Sequence, residues 1–83
     1  MQIPVITHLA ETQTLVSLQA AETALLAYQP PEFEVAGTDS CEQLTHVLVA
    51  QVLLHYMHEH GATLPAAVRA FAQRVRSCIS LTP

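Results

Sequence analysis

The densest group of side chains able to do chemistry is His55, His58, Glu59 and His60. His55 stands three residues before His58 and four before Glu59, so each pair meets on one face of a helix. Two imidazoles at that spacing chelate a divalent metal. His55, His58 and Glu59, with Cys41 as a possible further donor, therefore give one reading of the chain as a metal-responsive regulator. The string H-x-x-H-E-H matches neither the zincin pattern nor its inverse, and a tetrahedral site needs ligands from elsewhere in the chain. The competing reading is a solvated last turn whose imidazoles offset the negative end of the helix. It needs no metal, and no cofactor is expected.

The two cysteines, Cys41 and Cys78, are too sparse for a disulfide scaffold and suit a reducing compartment. If the helices that carry them form an antiparallel hairpin, Cys41 falls about six residues, or roughly 9 Å, beyond the level of Cys78, too far for a bridge. Cys41 then sits in a first helical turn, where a thiol is activated by the helix end. The sequence contains no Gly-rich phosphate loop, no nucleophile elbow and no Ser/His/Asp arrangement. A helical domain of this size also has little room for a pocket of about 300 Å³. A non-enzyme is expected.

Stepping from those groups to the elements that hold them, residues 7–29 contain no Gly or Pro and place Leu18, Ala21, Leu25 and Tyr28 at steps of three and four, with Leu15 and Leu26 widening the stripe. That spacing predicts one helix, stopped by Pro30-Pro31. Residues 30–39 form a connector, in which Phe33 and Val35 alternate with Glu32 and Glu34. A short edge strand there, or at Ile3, Val5 and Ile6, is an open alternative. The second helix, over 40–60, opens on Asp39 or Ser40 as N-cap with Glu42 or Gln43 reaching back, and closes on Gly61. Apolar residues cover most of its circumference, so other helices, a second protomer or both must wrap it. The third helix, over 64–79, starts at Thr63-Leu64-Pro65. Its Leu64, Val68, Phe71, Val75 and Cys78 form a narrow seam, and Pro83 ends a short tail.

Composition sets the remaining bounds. Only 12% of the 83 residues are charged, against about 25% in an average soluble domain. A chain this short buries about 60% of its unfolded surface, a marginal core that favours association. Residues 1–60 hold all seven acidic residues, and residues 61–83 hold all three arginines. Such a split suits arginines that meet carboxylates across a dimer interface, or an acidic surface that meets a basic partner. Three arginines are too few for a phosphate-binding stripe, so no nucleic acid is expected. No Lys or Arg precedes Arg69 and no apolar run reaches the roughly 20 residues of a membrane span, so neither a secretory leader nor a membrane is expected, and the location reads as cytoplasmic.

The expected architecture is therefore a single all-α domain over residues 1–83: three helices, the second and third an antiparallel hairpin, dimerising through helices. The expected function is that of a small acidic interaction protein that inhibits, sequesters or chaperones another protein, as bacterial and phage regulators of this size do. Phe33, Val35, Val49, Leu53 and Tyr56 are the apolar side chains such an arrangement leaves outward or at its edge. Arg69 and Arg74 complete the expected partner or dimer interface.

Overall fold

The computed structural model describes residues 1–80, with side chains through residue 78, as four helices: α1 (Ile3–Thr12), α2 (Leu15–Leu26), α3 (Ser40–His60) and α4 (Leu64–Ser80). The tail expected to end at Pro83 lies outside the described residues. The all-α class holds, with four helices in place of three, and no strand occurs among the described residues.

The single helix expected over 7–29 is corrected to two. Thr14 has extended backbone, φ −102° and ψ 166°, and caps α2. Its hydroxyl accepts from the Ser17 N–H at 3.1 Å, while the Ser17 hydroxyl accepts from the Thr14 N–H at 2.9 Å. This is a reciprocal capping box with serine in the place usually taken by Glu or Gln. It satisfies the amides of a new helix start, so the chain breaks at Gln13-Thr14 although no Gly or Pro marks the spot. The strand alternative at Ile3, Val5 and Ile6 is also corrected. Pro4 lies in the first turn of α1, where its fixed φ suits a helix and its missing N–H has no partner to lose. Ile6, Leu9 and Ala10 then face inward. Residues 33–35 lie in an irregular connector, not an edge strand.

At α3 Asp39 and Gly61 act as read, whereas the Glu42 carboxylate reaches past the N-cap to accept from the Thr38 N–H at 3.0 Å. The Asp39 carboxylate accepts from the Glu42 N–H at 2.8 Å, and Gly61 takes the left-handed conformation at φ 58°. The Thr63 hydroxyl lies 3.4 Å from the Ala66 amide at the start of α4. The hairpin closes a cleft lined by Val52, Leu53 and Tyr56 of α3 and Ala67, Ala70, Phe71 and Arg74 of α4.

α3 is the hub, packing against α1, α2 and α4. The core joins Ile6 and Leu9 of α1, Leu18, Ala21 and Leu25 of α2, Val47, Val49, Ala50 and Leu53 of α3, with Val35 and Ala67. Each fully buried Ile or Leu contributes about 1.5–3 kcal/mol relative to exposure. Two polar side chains are buried with them. Gln51 donates to the Glu22 carboxylate at 2.9 Å, fastening α3 to α2. His46 is fully enclosed; its Nε2 accepts from the Gln2 N–H at 3.0 Å, so Nδ1 carries the proton and donates to the Ala36 carbonyl at 2.8 Å. One ring thereby ties the start of α1, the connector and the middle of the hub.

Candidate functional site

The structure separates the side chains expected to make contacts. Val35, Val49 and Leu53 are buried in the protomer's own core, Phe33 and Tyr56 are half-buried, and Arg69 and Arg74 are exposed. The outward or edge position expected of Val35, Val49 and Leu53 is thus corrected. α3 is apolar nearly all round, so periodicity gives it no inward side, and the packing of α1, α2 and α4 decides. The large apolar residues of α3 left facing outward are Leu48 and Val52, at 40% and 41% exposure.

His55, His58, Glu59 and His60 are all exposed at the end of α3. The His60 ring lies against Tyr56, ring centroids 4.4 Å apart. No group of three His, Cys, Asp or Glu side chains is placed to share a metal ion among the described residues. Neither Cys41 nor Cys78 forms a disulfide, and both are exposed. Among the described residues the one ion pair joins the Met1 amino group to Glu42, at 3.8 Å. The α3–α4 cleft holds about 20 Å³, roughly the room one water needs. Among the described residues no helix is long and apolar enough to cross a membrane.

The most exposed apolar surface is one that periodicity conceals. α2 buries Leu18, Ala21 and Leu25 and turns Val16, Gln19, Ala20, Thr23, Leu26 and Ala27 outward. That face carries no charge. Val16 is 76% exposed and Leu26 61%, and the helix ends on Tyr28 at 89%. Soluble monomers normally place charged residues on the solvent side of a helix; here Val16 and Leu26 stand there instead.

Tyr28 also has an unusual backbone. The Tyr28 N–H donates to the Leu25 carbonyl at 3.1 Å and the Gln29 N–H to the Ala24 carbonyl at 2.8 Å. This is the closure in which the residue after the helix turns left-handed and is usually glycine. Tyr28 takes that role at φ 58°, alone among the described non-glycine residues. A side chain with a Cβ is disfavoured there by about 1–2 kcal/mol. The result is a phenol ring held out from the end of an uncharged helix face, with Pro30 and Pro31 fixing the chain behind it. A sequence signal for this face does exist: Glu22 is the only charged residue between Glu11 and Glu32.

A family model matches residues 1–80, spanning all four helices. The chain belongs to DUF6952, a family of unknown function. No curated protein and no solved structure matches this DUF6952 member.

Proposed function

We propose that this protein is a non-catalytic interaction protein of the cytoplasm that inhibits, sequesters or chaperones a partner by covering part of its surface through the outer face of α2. The observation that carries the reading is Tyr28: a large aromatic side chain, almost wholly exposed, at a backbone position where glycine would be less strained. Strained backbone conformations cluster where function requires them, and tyrosine is among the residues that dominate binding energy at interfaces. Leu26 and Val16 extend the same face over two further turns. Exposed Glu32 beyond Pro31 supplies a polar rim, so the complementary partner is an apolar groove or helix face with basic flanks. The exposed thiol of Cys41 suits a reducing compartment.

Affinity capture of the tagged full chain from its native lysate, beside its Tyr28→Gly variant, tests this. A protein retained in stoichiometric amount by the wild type and weakened about 100-fold or more by the variant is the expected result. Equal retention by both chains, or a stoichiometric partner that ignores Tyr28, rejects the assignment of this face.

A further inference from the structure

α3 leaves a second surface unaccounted for. Three helices pack around it, yet Cys41, Thr45, Leu48, Val52, His55 and Glu59 remain exposed on its remaining side. Their steps alternate four and three, the spacing of a straight interhelical seam. The polarity of that stripe is graded symmetrically about its centre. Leu48 and Val52 occupy the middle, Thr45 and His55 flank them, and Cys41 and Glu59 stand at the ends.

We propose that two copies of this chain pair through this stripe, with their α3 helices antiparallel about a two-fold axis crossing between Leu48 and Val52. Such an axis makes the surface its own complement. Leu48 meets Val52 of the second copy twice, forming an apolar centre. Thr45 meets His55 of the second copy; the Thr45 hydroxyl already donates to the Cys41 carbonyl at 2.9 Å, which leaves its oxygen free to accept from an imidazole N–H. Glu59 stands level with Cys41 of the second copy at the exposed margin of the stripe. A parallel pairing sets Glu59 against Glu59 and aligns the helix dipoles, so it lacks this match. An apolar centre with hydrogen-bonding and charged margins is the anatomy of a stable interface.

The pairing does not depend on the α2 reading, since Tyr28 lies on another helix and outside the stripe. Sedimentation equilibrium of the full chain under reducing conditions, from about 1 to about 100 µM, tests it, with helical content followed by circular dichroism. Wild type shows a monomer–dimer equilibrium. Leu48→Lys and Val52→Glu each raise its dissociation constant about 100-fold while keeping the helical signal, because both positions are already open to solvent. An equimolar mixture of L48K and V52E chains regains dimer, since the new lysine of one faces the new carboxylate of the other while the native Leu48–Val52 layer is kept. Serine at either position weakens association by about 10-fold without adding charge and serves where a charged variant loses helix. A wild-type chain that stays monomeric at the highest concentration overturns the pairing, as does a dimer indifferent to these substitutions. Dissociation by the single variants without recovery in the mixture overturns the antiparallel register. Tyr28→Gly leaves the dimer intact, so loss of a captured partner through that variant and loss of the dimer through V52E are separate results.

Discussion

Two helices of this protein end in the same backbone conformation on very different residues. α3 turns left-handed at Gly61 and α2 at Tyr28, both at φ 58°. At Gly61 the choice is explained by folding alone, since glycine adopts this region without a Cβ penalty. At Tyr28 folding favours a different residue, and the side chain itself contacts almost nothing in its own protomer. The same geometry thus carries a residue that suits its backbone at one helix end and, at the other, a residue whose side chain stands in solvent.

Gly37 gives the largest effect that bears on this contrast. It too has positive φ, at 156°, but a Cβ there would lie 2.9 Å from the Gln43 side chain and 3.0 Å from the Gln43 backbone nitrogen. Gly37→Ala is expected to lower stability by about 2–3 kcal/mol in urea unfolding, because the first turn of α3 must move. Next comes Gly61→Tyr, which gives α3 the ending that α2 has. A Cβ at Gly61 meets nothing within 4 Å, so the expected loss of about 1–2 kcal/mol is purely conformational. The smallest change runs the other way. Tyr28→Gly is expected to raise the urea midpoint, by about 1 kcal/mol of stability, as the strained position relaxes. If it lowers stability instead, Tyr28 holds the fold together and the contrast with Gly61 collapses.

Much of the fold was legible because helix ends are written in short-range chemistry. Asp39, Glu42 and Gly61 bound α3 as their side chains dictate, and Thr63 with Pro65 opens α4. The break between α1 and α2 was not legible in periodicity, since Thr14 and Ser17 supply a cap without interrupting the apolar spacing on either side. The inner side of α3 was hidden for a different reason. When Val47, Leu48, Val49, Val52, Leu53 and Leu54 surround one axis, composition carries no phase, and only the positions of α1, α2 and α4 decide that Val49 and Leu53 turn inward while Leu48 and Val52 turn out. The α2 face was obscured by the opposite habit of counting Leu26 and Tyr28 as part of one broad inward stripe.

His46 has a further meaning for how the molecule comes apart. Its two ring nitrogens hold residues 44 positions and 10 positions away in the chain, and neither bond survives if the ring leaves its place. An opening that displaces the ring therefore frees the start of α1 and the connector together. Amide exchange at Gln2 should report on that event, making the protein's outermost segment as slow to exchange as the hub that holds it.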